Sequence, residues 1–228
     1  MIKIYMVRAD AFWQQDLFLQ GCRQLDCERL AKVNACRSVE DKARSLCCGL
    51  LLQYVLRRYE GTCERLEIRY SYGKYGKPYL KDYPALHIGL SHSGAFAVLA
   101  VSDEEVGIDV QMVRPLRDGV IRRTLSRTEY KRYEQMPTPQ EKQDWFFRCW
   151  CAKESYAKLT GKGLLGEFRA ITLTAGGRQI VPGAVCREYR CGDACYMNVC
   201  VWEMGGDPGF PENVVDVTER LCTLPGMC

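Results

Sequence analysis

The chain has 228 residues, long enough for one large domain or two smaller ones and for a core that needs no staples. With 47% hydrophobic and 26% charged residues it excludes wholesale disorder, and a formal net charge of +4 without a basic run is too weak to indicate nucleic acid as a partner. Arg8 and Asp10 stop the N-terminal apolar run short of signal-peptide length, and no stretch reaches the roughly 18 apolar residues of a membrane span, so a cytoplasmic protein with no membrane partner is expected.

Residues 2–8 alternate as a strand does. Residues 39–59 read as a helix: Ser38 can cap it, Glu40 and Asp41 stand in its first turn, and Ala43, Leu46, Cys47, Leu50, Leu51 and Tyr54 mark one face. Gly61 stops it. The stretch 70–84 is a loop rich in Tyr, Gly and Pro. Strand-like runs follow at 86–90, 95–102 and 106–111. Their links, Ser91-His92-Ser93-Gly94 and Asp103-Glu104-Glu105, are short enough to predict antiparallel pairing in sequence order.

Arg114-Pro115 and Asp118-Gly119 mark a break. A short helix is predicted from about 127, where Ser126 and Glu129 form an S-x-x-E capping box. Another spans 141–160, ended by Gly161-Lys162-Gly163, and further strands are predicted at 168–174 and 184–203. The tail from about Gly205 carries Gly and Pro and is expected to be loosely ordered at its end. The order of elements predicts an α+β protein of two halves, 1–112 and 113–228, with the boundary near 112–118.

The 14 cysteines are scattered through a chain of ordinary core content, which suits small buried hydrophobes in a reducing compartment. A structural zinc is the sharper alternative. However, there is no C-x-x-C pair, and Cys186, Cys191, Cys195 and Cys200 lack tight ligand spacing.

Individual residues suggest chemistry without deciding it. Asp109 ends an apolar strand after Gly107; it could be a hard-metal ligand or an ordinary strand-end carboxylate. Glu154 and Lys158 share a helix face, as a site pair or as a plain ion pair. Ser91 and His92 lie in a small-residue turn that could seat a phosphate, or His92 could simply bond a neighbour. Lys77 in a Gly-rich loop could reach a phosphate or remain solvated.

Their combination and order are more specific. Gly76-Lys77-Pro78, Ser91-His92-Ser93-Gly94, Gly107-Ile108-Asp109, Ser126-Arg127-Thr128-Glu129-Tyr130 and Trp150-Cys151-Ala152-Lys153-Glu154 with Lys158, followed by Gly161-Lys162-Gly163-Leu164, resemble the phosphopantetheinyl transferases of the surfactin-synthetase-activating type. The resemblance runs from about residue 29 to 173. It implies a pseudo-dimer of two similar α+β halves with the active site and coenzyme A in the cleft between them, needing no second chain.

By position, the resemblance implies that Asp109 and Glu154 hold Mg2+ on the coenzyme A pyrophosphate. Glu154 would also accept the proton of the attacking serine, and Lys158 would offset charge on the phosphate. Lys77, Ser91, His92, Arg44, Lys153, Arg29 and Lys32 would contact coenzyme A, His92 at its 3′-phosphate. The implied partner is an apo acyl or peptidyl carrier protein. Where several family members carry a second carboxylate, this chain has Gln111, which could coordinate through its carbonyl or leave the place to water. Glu129 is either a cleft residue or the capping partner of Ser126, and capping is favoured.

Two alternatives remain: a catalytically degenerate homologue that binds coenzyme A, and an unrelated magnesium-dependent phosphoester hydrolase. The second would call for more clustered carboxylates.

Overall fold

The structure, a computed structural model, describes residues 1–162, 168–172, 179–181 and 183–223. It is mixed α+β. Strand β1 (Lys3–Arg8) leads through a 3-10 turn into α1 (Gln15–Cys22), α2 (Cys27–Ala35) and α3 (Val39–Glu60). Strands β2 (Tyr70–Tyr72), β3 (Pro78–Leu80), β4 (His87–Ser93), β5 (Phe96–Ser102) and β6 (Val106–Met112) follow. Helices α4 (Asp118–Thr124), α5 (Arg127–Gln135) and α6 (Pro139–Thr160) come next, then β7 (Gln179–Val181), β8 (Ala184–Arg190), β9 (Cys195–Trp202), β10 (Val215–Asp216) and α7 (Thr218–Cys222).

The two long helices start and stop where their chemistry dictates. Ser38 Oγ accepts from Asp41 N at 3.0 Å at the head of α3. Thr138 and Glu141 make a reciprocal capping box at the head of α6, with Pro139 in its first turn. Gly61 and Gly161, at φ of 66° and 64°, end them in the left-handed region. Helix α3 is buried on nearly every side from Ala43 to Arg57, so it lies inside the molecule rather than on it.

Two four-stranded sheets carry these helices. The first has the order β10-β1-β5-β4, the second β6-β9-β8-β7. Helix α3 packs on β5, β4 and β1, and α6 on β6, β9 and β8. Apolar residues of β1 and β5 (Ile4, Val98, Ala100) share a core with those of β6 and β9 (Ile108, Val110, Met197, Val199). The edge strands β4 and β6 lie side by side without a backbone ladder. Ser91 Oγ accepts from Val110 N at 3.3 Å and Ser93 Oγ from Met112 N at 3.0 Å. Serine hydroxyls thus satisfy the donors that an unpaired edge would leave bare.

Several expectations need correction. Ser91-His92-Ser93 is not a turn but the end of β4, which pairs with β5 from His87↔Ser102 to Ser93↔Phe96. The runs at 95–102 and 106–111 do not pair with each other. The Asp103–Glu105 link carries the chain from the first sheet to the second, where β6 pairs with β9. The predicted strand at 168–174 is a turn at 168–170, and 173–174 fall outside the described residues, as do Gly163 and Leu164.

The tail from about 205 is docked over residues 215–222. Strand β10 pairs in parallel with β1, Tyr5↔Val215 and Met6↔Asp216. Val217 and Leu221 are buried in the core around α3. Gly and Pro upstream hid a short apolar anchor. Among the cysteines, Cys47, Cys48, Cys149, Cys151, Cys186, Cys191, Cys195 and Cys200 are buried thiols, whereas Cys63 is disulfide-bonded, against the all-reduced expectation. No described helix is long and apolar enough to cross a membrane.

Candidate active site

Asp109 lies in the middle of β6, its side chain only 3% exposed. Its Oδ1 accepts from Ser91 Oγ at 2.8 Å and Lys158 Nζ at 2.7 Å, and its Oδ2 accepts from Gln111 Nε2 at 2.8 Å. Lys158 Nζ also donates to Ser91 Oγ at 2.8 Å. Charge-assisted bonds of this kind are the strong ones. Three elements, β4, β6 and α6, therefore meet at one carboxylate.

Gly107 explains why α6 sits where it does. A Cβ there would lie 2.0 Å from Ser155 O and 2.5 Å from Leu159 N, so the helix backbone rests directly on the strand. The contact is pinned by Cys151 Sγ, which donates to Asp109 O at 3.1 Å. Ser155 Oγ donates to Asn198 Oδ1 at 2.8 Å, and Asn198 faces Asp109 across the β6–β9 ladder. The i,i+4 spacing of Glu154 and Lys158 then turns both toward Asp109.

Glu154 has no hydrogen bond or ion pair among the described residues. Burial, and after it the charge of Asp109, raise its pKa to about 7, against the pull of Lys158. A carboxylate held unpaired beside another carboxylate is a place for a cation or a proton. Beside it opens a cavity of about 310 Å³ lined by Gly76, Lys77, Leu90, Val106, Glu154 and Lys158, among others.

Basic groups flank the other side of Ser91. His92 keeps an accessible edge, yet the surrounding chain partly desolvates it. That, then the cations Arg44 and Lys158, lower its pKa. Arg44 donates to Gly94 O at 3.0 Å and to Asp41 Oδ1 at 2.6 Å. Arg29 donates to Ser45 O at 2.9 Å, and its Nε is buried without a hydrogen-bond partner among the described residues. Lys32 is engaged by Glu28 at 3.1 Å and by Tyr72.

Two expected contacts differ from the resemblance. Lys77 lines the cavity, but its side chain is 8% exposed and its ammonium bonds Glu105, Leu159 O at 3.0 Å and Val106 O at 3.4 Å. Lys153 is not at the site. It is fully buried and donates to Thr124 O at 2.8 Å, Phe168 O at 2.7 Å and Glu129 Oε2 at 2.5 Å, which uses all three of its N–H bonds. Glu129 closes the capping box with Ser126 while taking this ion pair. Glu105 reads in the sequence only as part of the Asp103-Glu104-Glu105 link. Lys77 lies 28 residues from it and no local pattern joins them.

The donor set suits a hard cation. Among the described residues no three His, Cys, Asp or Glu side chains gather as a metal cage. Magnesium needs no such cage, because it keeps several waters and takes one or two carboxylates with substrate phosphates. Asp109 and Glu154 are two carboxylates close enough for the charge of one to raise the pKa of the other. Gln111 points its amide N–H, not its carbonyl, at Asp109.

An aspartate in the middle of β6, not at the strand end that the sequence suggested, a helix carrying Glu and Lys one turn apart, and a cavity beside them suit phosphoryl-type chemistry. The family model of the 4'-phosphopantetheinyl transferase superfamily matches residues 105–194. The chain is 33% identical over 196 residues to the 4'-phosphopantetheinyl transferase HetI of Nostoc sp. (strain PCC 7120), covering 82% of each chain. It is 28% identical over 227 residues to the 4'-phosphopantetheinyl transferase Sfp of Bacillus subtilis (strain 168), covering 95% of this chain and 98% of that one. A further Bacillus subtilis 4'-phosphopantetheinyl transferase is 30% identical over 161 residues, 71% of this chain and 70% of its own length. The chain belongs to the 4'-phosphopantetheinyl transferase family, and within it resembles the Sfp type.

Proposed function

We propose that this protein transfers the 4'-phosphopantetheine arm of coenzyme A to a serine hydroxyl of an apo acyl or peptidyl carrier protein, releasing 3',5'-ADP. The observation that carries this reading is the convergence of Asp109, Lys158 and Ser91 beside the unpaired Glu154. We further propose that the chain divides near 112–118 into two similar halves related as a pseudo-dimer. The β4–β6 seam would then be the floor of the cleft, and one cytoplasmic chain would suffice for activity.

Asp109 and Glu154 would hold Mg2+ on the pyrophosphate. The ion, when bound, supplies charge neutralisation for the leaving 3',5'-ADP. The protein's own work is positioning. Lys158, already aimed along β4 at Ser91 and Asp109, offsets charge on the phosphate under attack. The serine oxygen forms its bond to the β-phosphorus as the bond to the ADP oxygen breaks. The serine proton passes to Glu154, whose carboxylate has no hydrogen bond among the described residues and so is free to take it. His92, Arg44 and Arg29 offer cationic or donor groups to further phosphate oxygens, whereas the Ser91 hydroxyl hydrogen is already given to Asp109.

The test is incubation of the protein with coenzyme A, Mg2+ and a panel of apo carriers, each weighed by intact mass spectrometry. A gain of one arm that disappears with EDTA is expected. No gain on any carrier, with coenzyme A binding retained, would replace this reading with a degenerate binding homologue.

A further inference from the structure

Glu105 stands in the three-residue link between the two sheets and is 28% exposed. Its carboxylate gathers side chains from three separate segments. Oε2 takes the Lys77 ammonium. Oε1 lies 3.5 Å from His87 Nδ1 on β4. The Tyr79 phenol on β3 is near enough that, after burial, the charge of Glu105 raises its pKa.

Lys77 carries the connection further. Its ammonium reaches Leu159 O at 3.0 Å, the residue after Lys158 and two before the glycine that ends α6. The last carbonyls of a helix lack intrahelical partners and form the negative end of its dipole, so a lysine fits there. The Lys77 stem lies across Gly161, where a Cβ would come within 3.4 Å of Lys77 Cδ. An exposed ion pair would count for little, but this ammonium is shielded and multiply bonded.

We propose that Glu105 is a positioning residue for coenzyme A: through Lys77 it clamps the 73–77 loop to the last turn of α6 and so sets the wall of the cavity beside Glu154 and Lys158. The inference rests on the transferase reading above. Without the carboxylate, Lys77 keeps only carbonyl acceptors, and the loop can part from the helix that carries the reacting groups.

The experiment is a double-mutant cycle of Glu105→Gln and Lys77→Met, read by coenzyme A affinity in calorimetry and by KM and kcat in carrier transfer. Glu105→Gln should weaken coenzyme A and raise its KM about tenfold, the size of one well-formed charged contact, with kcat changed about twofold at most. The double variant should be no worse than Lys77→Met, because one residue acts through the other. Glu105→Asp should recover part of the loss. A Glu105→Gln enzyme with wild-type KM, or effects of the two substitutions that multiply, overturns the proposal. If Glu105→Gln fails to fold, Glu105→Asp against Lys77→Met completes the cycle with the same criteria. A wild-type protein that binds coenzyme A yet modifies no carrier defeats the transferase reading alone, and the calorimetric cycle still decides Glu105. A wild type that does not bind coenzyme A overturns both.

Discussion

Helix α6 carries two lysines against two carboxylates, and the pairs behave differently. Lys153 and Glu129 are sealed, at 0% and 1% exposure, with each ammonium hydrogen assigned to a fixed acceptor. Burial lowers the Lys153 pKa and Glu129 holds it up. Lys158 and Asp109 are set alike in distance, but the lysine is 34% exposed and faces a cavity, and Glu154 next to it is unpaired. Lys153 and Glu154 are adjacent in sequence yet belong to opposite systems, since successive helix residues point about 100° apart. Charge pairing does not mark the site. Open access and an unsatisfied neighbour do.

The largest effect expected is on the sealed pair. Lys153→Met leaves Glu129 buried without its counter-charge and should lower stability by about 3–5 kcal/mol in urea titrations. Coenzyme A affinity of the folded fraction should stay at the wild-type value. A large loss of affinity with full stability would break the comparison. The open pair should lose activity first: Asp109→Asn and Lys158→Met each lower kcat/KM by about 10²–10³, with a smaller loss of stability than Lys153→Met, because Lys158 is 34% exposed and solvent can reach the pair.

Gly107→Ala probes what brings the open pair together. Its methyl would meet Ser155 O at 2.0 Å, so α6 must lift off β6. A stability loss of about 1–3 kcal/mol is expected, with a larger fall in transfer than in folding. Equal falls would mean that the contact serves packing alone.

The smallest effect sharpens the role of Glu154. Its folded pKa, about 7, lies above that of the unfolded chain, so the folded state favours the protonated form. Its stabilising contribution is complete below the unfolded pKa and is lost as pH rises through 7. In EDTA, the stability difference between wild type and Glu154→Gln should therefore shift against wild type across that window. Magnesium competes with the same proton, so its affinity should rise over the same range, measured by calorimetry.

The long helices were legible because capping and periodicity are local: Ser38, Gly61 and Gly161 fall where expected, although Thr138 moves the start of α6 to Pro139. Asp109, Glu154 and Lys158 stood out through their order along the chain, and the fold brings them together. What could not be read depends on distant partners. Nothing near Lys153 announces Thr124 and Glu129 as its acceptors. Ser91 and Ser93 looked like turn residues because small polar residues favour turns, whereas here they bridge two sheet edges. The docked tail rests on Val217 and Leu221, too few apolar residues to register as an element.

That tail has a consequence for synthesis. Strand β1 is made well before its parallel neighbour β10, whose Val215 lies about 210 residues beyond Tyr5, and Val217 N bonds Met6 O at 2.9 Å across the same gap. A chain emerging from the ribosome holds one side of β1 open until residues 215–222 are out. A pairing so distant in sequence is slow to form. During translation that strand is an exposed edge, the kind of surface chaperones attend to.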